Sequence, residues 1–228
     1  MQSNRAVARK MLAYAKKHEL KYLNERGKPI LSTLSPIWGN GKRTLAWRVS
    51  GHAFGEKHAS AQKTQRLCDL LFPMTFGQWV VRLAKAEVGV KESPSGSNDG
   101  PRVRAYQKTT GAYKAPWCAS FVRYIYGAAL NKVSKNTRWF ANPAWVPNWT
   151  AAARANKRFR RVAFEDAQPG DFVTLWDSGH IEIVVKRKGD YLLCIGGNTS
   201  PVGQNANGGG VFNTKRHRSE VTVIGRMR

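Results

Sequence analysis

Apolar positions recur along this chain with two different periods, and the change from one to the other divides it. From Ser3 to Leu23, Val7, Met11, Tyr14, His18 and Tyr22 fall at helical spacing, with Arg5, Arg9, Lys16 and Lys17 mostly off that stripe, which predicts a basic amphipathic helix. The stretch KHASAQKTQRLCDLLF carries Leu67, Leu70 and Leu71 and stops at Pro73, predicting a second helix. Between the two lies the glycine-rich PIWGNGKRTLAWRVSGHAFG. A domain boundary is expected between Pro73 and Gly77, giving a small, mainly helical module over 1–75 and a larger domain over 76–228.

In the larger domain, FGQWVVRLAKAEVGV predicts a helix ending at Gly89, then the turn-rich SPSGSNDGP, then a short helix from Val103 to Lys108. In PWCASFVRYIYGAAL, Pro116 suits a first helical position, and Trp117, Phe121, Tyr124 and Ala128 mark a buried stripe. From about Gly170 the period shortens. DFVTLW, HIEIVVK and YLLCIG are short and rich in aliphatic and aromatic residues, KRKGD reads as a hairpin turn, and VTVIGRMR closes the chain as a last strand. Helices followed by strands predict an α+β domain of about 150 residues. No internal repeat is visible.

Composition adds a partner class. The chain has 228 residues and a formal net charge of +24. So one-sided a field favours polyanions: nucleic acid, anionic lipid or anionic wall polymers. Residues 1–75 hold 14 of the 38 Lys+Arg and 4 of the 14 Asp+Glu, so the first third is the more densely basic part and suggests an anchoring module. Eight Trp and 42% apolar residues argue for a folded core rather than disorder. Three cysteines, Cys68, Cys118 and Cys194, without a CxxC pair, disfavour a disulfide framework and a structural zinc site. The start, MQSNRAVARKMLAYAKKH, is broken by charge every few residues, and no run of about 18 apolar residues occurs, so neither a signal peptide nor a membrane span is expected.

Three residues then stand out. Cys118 falls in the first turn of a predicted helix, where unpaired N–H groups and the helix dipole favour a thiolate. His180 opens a strand directly after DSG, an exposed strand mouth suited to a general base. Asn198 follows the next strand in IGGNTS, where a polar side chain can orient an imidazole. Each has a structural reading by itself: a buried thiol, a polar strand edge, a turn former. The order helix-cysteine, strand-histidine, next-strand polar residue is far less common.

The blocks GSNDGPRVRAYQKTTGAYKAPWCASFVRY, QPGDFVTLWDSGHIEIVV and IGGNTS with GGGVF after it resemble a CHAP domain, the cysteine, histidine-dependent amidohydrolase/peptidase of many phage endolysins and bacterial wall hydrolases. The likeness runs from about Phe76 to Arg228. It implies a papain-like fold and hydrolysis of an amide in peptidoglycan, with Cys118 as nucleophile, His180 as base and Asn198 as orienting group. Many family members read E-G-N where this chain reads Gly196-Gly197-Asn198, so the usual acid is missing. PWCASF also departs from the D-C-S-G pattern of the sister NlpC-type peptidases. The resemblance further implies a monomeric endolysin made in the host cytoplasm, which acts at the wall after release and requires no cofactor.

Secondary candidates are fewer. Asp99 alone supplies a carboxylate between Glu92 and Cys118, too few for calcium, and the spacings of His52, His58 and Cys68 fit no zinc signature, so no metal is expected. Trp117, Trp145 and Trp149 are candidate substrate contacts. The amide of Cys118 is the expected oxyanion donor, with Gln107 or Tyr106 as candidates for a second. If Arg187, Lys188 and Gly189 form the hairpin loop, Lys186 faces Asp190, His180 faces Gly196 and Glu182 faces Cys194. Glu182, Gly196 and Asn198 then share His180's face, which makes Glu182 an auxiliary candidate beside Asn198. The competing reading is a basic nucleic-acid-binding or packaging protein without catalysis. No RNP, zinc-finger or clear helix-turn-helix signature accompanies the charge, which disfavours nucleic acid as the main partner.

Overall fold

The computed structural model describes residues 74–133, 139–156, 158–201 and 208–228. The chain divides into two units, Met1–Pro73 and Met74–Arg228. The helices expected before Pro73 and the basic N-terminal module lie outside the described residues.

Among the described residues the second unit is α+β, with four α-helices and a six-stranded sheet. Helix α1, Phe76–Ala86, is started by a capping box: Gln78 N–H donates to Thr75 Oγ1 at 3.3 Å and Thr75 N–H donates to Gln78 Oε1 at 2.9 Å. Helix α2, Pro101–Lys108, begins on Gly100, whose φ of 128° is open only to glycine. Helix α3 runs Cys118–Lys132 with Trp117 at its N-cap, so Pro116 precedes the helix instead of opening it. Its buried face is also wider than the expected stripe. Phe121, Val122, Ile125, Tyr126 and Ala129 are fully buried, whereas Tyr124 and Ala128 are only half-buried, because α3 is covered by α1 and α2 as well as by the sheet.

Helix α4, Val146–Arg154, is an element that was not predicted from the sequence. Pro147 sits within its first turn, where no intrahelical N–H is needed.

The strands are β1 Phe159–Val162, β2 Phe172–Leu175, β3 His180–Lys188, β4 Tyr191–Thr199, β5 Gly210–His217 and β6 Val221–Met227. Their order is β1-β6-β2-β3-β4-β5, and every pairing is antiparallel. Strand β1 lies in the basic cluster NKRFRRV: Phe159 and Val162 point inward while Arg160 and Arg161 stay exposed.

The helices cover one face of the sheet. There Phe172, Ile181, Ile183, Ile195 and Val223 meet Val80, Phe121, Ile125, Tyr126 and Trp149. A smaller cluster on the other face joins Val162, Val173, Leu175, Val184, Leu192, Cys194 and Ile224.

The β3–β4 hairpin differs from expectation in register. Its loop is Gly189-Asp190, with Lys188 facing Tyr191, and Gly189 has a φ of 57°, as a tight two-residue turn requires. An irregularity between Val184 and Lys186 then shifts the pairing back by one residue, so that Ile183 faces Ile195 and Val184 faces Cys194. The net slip at Glu182 is two residues, an even number. Glu182 therefore keeps its expected face but stands across from Gly196 instead of Cys194.

Candidate active site

Cys118 is the first residue of α3, and α3 packs on β3 and β4, which carries the thiol to the end of the sheet where His180 begins β3. That docking needs Gly197: a Cβ there would lie 2.6 Å from Phe121 Cβ and 2.8 Å from the Trp117 ring. Cys118 is only 5% exposed and His180 is fully buried, so the imidazole is not at an open strand mouth as its position suggested.

What covers the imidazole is Trp176. The loop between β2 and β3 places Trp176, Asp177 and Ser178 in succession at φ of 49°, 54° and 74°. Such left-handed residues are costly without support. Ser178 and Thr150 of α4 share a hydroxyl–hydroxyl bond of 2.7 Å, which ties the loop to the helix layer. Trp176 is thereby folded over His180, ring centroids 5.8 Å apart and planes inclined by 27°, and it remains 36% exposed on its outer side.

His180 lies beside a carboxylate and a thiol. Its Nε2 is 3.3 Å from Glu182 Oε1, and Cys118 lies within interaction range of the ring. Neither ring nitrogen has fully aligned hydrogen-bond geometry. Burial disfavours the imidazolium, but interactions with Cys118 and Glu182 outweigh it and raise the pKa from 6.5 to about 9.

Burial likewise disfavours a charged Glu182, and His180 and Arg216 outweigh it, holding this carboxyl at about 2. Glu182 Oε2 accepts from Thr214 Oγ1 at 2.6 Å and from Arg216 Nε at 3.1 Å, and Oε1 accepts from Arg216 Nη2. The Arg216 guanidinium also sits 4.9 Å from the centre of the Trp176 ring. Asn198 is buried at the end of β4 with a φ of 54°, where the pairing with β5 shifts between Gly196 and Thr199.

Other expected roles fall elsewhere. Gln107 Nε2 donates to the carbonyls of Asn98 at 3.0 Å and Ala115 at 2.9 Å, and the Tyr106 hydroxyl donates to Glu87 at 2.7 Å. Both are committed to holding the loops around α2 and do not serve as second oxyanion donor. Trp117 and Trp149 are fully buried core residues whose indole N–H groups donate to Glu92 Oε1 at 2.8 Å and Pro143 O at 2.9 Å. They offer no surface to a substrate. Trp145, 57% exposed, does.

Cys194 is buried behind Glu182, and burial pushes its thiol pKa well up, the environment of an inert cysteine. Asp99 is occupied by Arg104, at 2.6 Å, and by the amide of Gly100, at 2.7 Å. Among the described residues no group of three or more His, Cys, Asp or Glu side chains is placed to hold a metal ion.

Thr214, Arg216 and Trp176 were not picked out from the sequence. Strand β5 went unread behind its glycines, although Thr214 and Arg216 alternate inward with a period of two. The readable signal was Gly196 within a strand, a mark of close approach by another group.

No protein-family model matches the chain. No curated protein matches it either. Among solved structures it is similar to the peptidoglycan hydrolase RipB of Mycobacterium tuberculosis, at 15% identity over 90% of this chain and 92% of that one, with a TM-score of 0.39.

Proposed function

We propose that the chain is a cysteine-dependent amide hydrolase of the bacterial cell wall, an N-acetylmuramoyl-L-alanine amidase or peptidoglycan endopeptidase of endolysin type with a CHAP-like, papain-like catalytic domain. The observation that carries this reading is a thiol at the head of a buried helix beside an imidazole whose Nε2 is 3.3 Å from a buried carboxylate. The substrate class rests on the three sequence blocks around Cys118, His180 and Asn198 and on the chain's +24 charge, which suits an anionic wall.

The Cys118 thiolate attacks the scissile carbonyl, forming a C–S bond, while the amide N–H at the head of α3 faces the developing oxyanion. The His180 imidazolium gives its proton to the amine nitrogen as the C–N bond breaks. Neutral His180 then takes a proton from water as that water attacks the thioester. The C–S bond breaks, and thiolate and imidazolium are restored. A nucleic-acid-packaging protein has no use for this arrangement.

Cys118→Ala is expected to lower the rate of turbidity loss of exposed cell walls by about 10³-fold or more, with an unchanged circular dichroism spectrum, while Cys194→Ala keeps most of it. Retention of lysis by Cys118→Ala removes the assignment. Mass spectrometry of fragments released from purified peptidoglycan then distinguishes amidase from endopeptidase.

The basic residues of 1–75 are proposed to hold the enzyme on anionic wall polymers or anionic lipid. Binding of the full chain to purified walls is then expected to fall steeply as salt rises, because the Debye length shortens to about 3 Å at 1 M. Binding indifferent to salt rules out this electrostatic anchoring.

A further inference from the structure

We propose that Glu182 is the residue that positions His180 for catalysis, acting from His180's own strand, and that Gly196 across the ladder is bare because the Glu182 carboxylate occupies the volume its side chain would fill. The proposal rests on the reading of Cys118 and His180 as nucleophile and base.

Two residues along one strand are separated by about 6–7 Å at the backbone, so an acid at 182 must fold back to meet the ring at 180. The room to do so lies over β4. A Cβ built on Gly196 would stand 2.6 Å from Glu182 Oε1 and 2.9 Å from its Cδ and Cγ, so the carboxylate and a side chain at 196 are mutually exclusive. The even register slip, which sets Glu182 across from Gly196, is what opens this space.

The carboxylate is also fixed from behind. Oε2 is taken by Thr214 Oγ1 at 2.6 Å and Arg216 Nε at 3.1 Å, and Oε1 accepts from Arg216 Nη2, so that β5 holds the carboxylate with Oε1 shared between Arg216 and His180 Nε2. Arg216 completes the enclosure, because the Trp176 ring beside its guanidinium stacks on the imidazole. The edge of the ring is thus set by Glu182 and its plane by Trp176. With Nε2 turned to Glu182, Nδ1 is left for the Cys118 thiol. Glu182 remains ionised throughout the cycle; it orients the ring and stabilises the imidazolium, and does not itself transfer a proton.

Among the described residues, the titratable and charged groups around this pair are Cys118 from α3 and Arg216 from β5. Cys194 on β4 and Glu220, 3.8 Å from Arg216 Nη1, lie behind them. Glu182 is the carboxylate in direct contact with the ring.

The test is the rate of Cys118 alkylation by iodoacetamide across pH on the full chain, read from the mass of the Cys118 peptide, alongside turnover on purified wall. In Glu182→Gln the upper transition is expected to fall by about 1–3 pH units, because the imidazolium loses its counter-charge. The double variant Glu182→Ala/Gly196→Glu places a carboxylate in the same volume from β4. It is expected to restore the transition and to recover turnover at least about ten-fold over Glu182→Ala alone, a rescue that a merely structural role would not give. Gly196→Glu alone crowds two carboxylates into one site and is expected to be impaired.

An upper transition unmoved in Glu182→Gln, or one moved by Asn198→Ala in its place, overturns the proposal. Should the Glu182 variants fail to fold, nitrogen-15 NMR of His180 in the unmutated protein decides. A proton retained on Nε2 supports the assignment, and one retained on Nδ1 overturns it. Hydrolysis surviving in Cys118→Ala would instead sink the underlying reading, whatever Glu182 does.

Discussion

On the helix-covered face of the sheet, Phe172, Ile181, Ile183 and Ile195 are buried against Phe121, Tyr126 and Trp149 mainly by shape and area. On the opposite face, the neighbours that alternate with them, His180 and Glu182, are buried just as completely, together with Thr214 and Arg216. Equal burial has unequal consequences. An apolar side chain lost from the first face costs roughly its own transfer energy and cavity, and its neighbours remain satisfied. A member lost from the second leaves a charge stranded without water, so the residues there depend on one another. The two faces meet in β3, and this is why one strand can hold a rigid core and a buried imidazole together.

The largest expected break in this comparison is Arg216→Ala. Removing one partner of a buried pair leaves Glu182 uncompensated and is expected to cost about 3–5 kcal/mol by denaturant unfolding, together with most of the wall-lytic rate. Replacing both charges, as in Glu182→Leu/Arg216→Met, is expected to regain stability to within about 1–2 kcal/mol of the parent while leaving catalysis lost. If Arg216→Ala unfolds at the parent's midpoint, the pair is not a structural unit.

Trp149→Ala tests the apolar face. The indole is fully buried among Tyr126, Phe159 and Phe172, with ring centroids 5.9, 5.6 and 5.2 Å away. Its removal is expected to cost about 3–5 kcal/mol in stability but to leave the alkylation profile of Cys118 unchanged below the new midpoint. A displaced profile would mean that the faces are coupled more tightly than their packing implies.

The gentlest probe is pH. His180 is raised from 6.5 to about 9, so its contribution to stability is complete below 6.5 and is lost as pH rises through about 9. Glu182 is lowered from 4.5 to about 2, so its contribution is complete above 4.5 and is lost as pH falls through about 2. Thermal midpoints are therefore expected to be highest between roughly pH 4.5 and 6.5 and to decline on both sides. The Glu182→Leu/Arg216→Met variant should lose most of the acid-side decline, and an unchanged acid limb would place its origin elsewhere.

What local sequence could specify, it specified through periodicity. The helical spacing before Gly89, the short helix ending at Lys108 and the strand run from Phe172 onward each follow from which positions are apolar, because an element must bury one face whatever it packs against. Cys118 and His180 were legible for a related reason, since a helix start and a strand start are positions a chain defines by itself. Helix α4 was hidden by Pro147, which is harmless only because it falls in the first turn, and β5 by glycines whose role depends on the strand beside them.

Register and burial belonged to the tertiary structure. A two-residue turn at Gly189 and an irregularity after Val184 together decide that Glu182 faces Gly196, and no local pattern encodes the sum of two such shifts. The covering of His180 by Trp176 depends on a left-handed loop tied to α4, and the locking of Glu182 depends on Arg216, 34 residues further along the chain. Sequence by itself determined which side chains are available as nucleophile, base and acid, because side-chain identity is local. Only the folded sheet decided which carboxylate meets the imidazole, because that is a matter of distance between strands that pair across a turn.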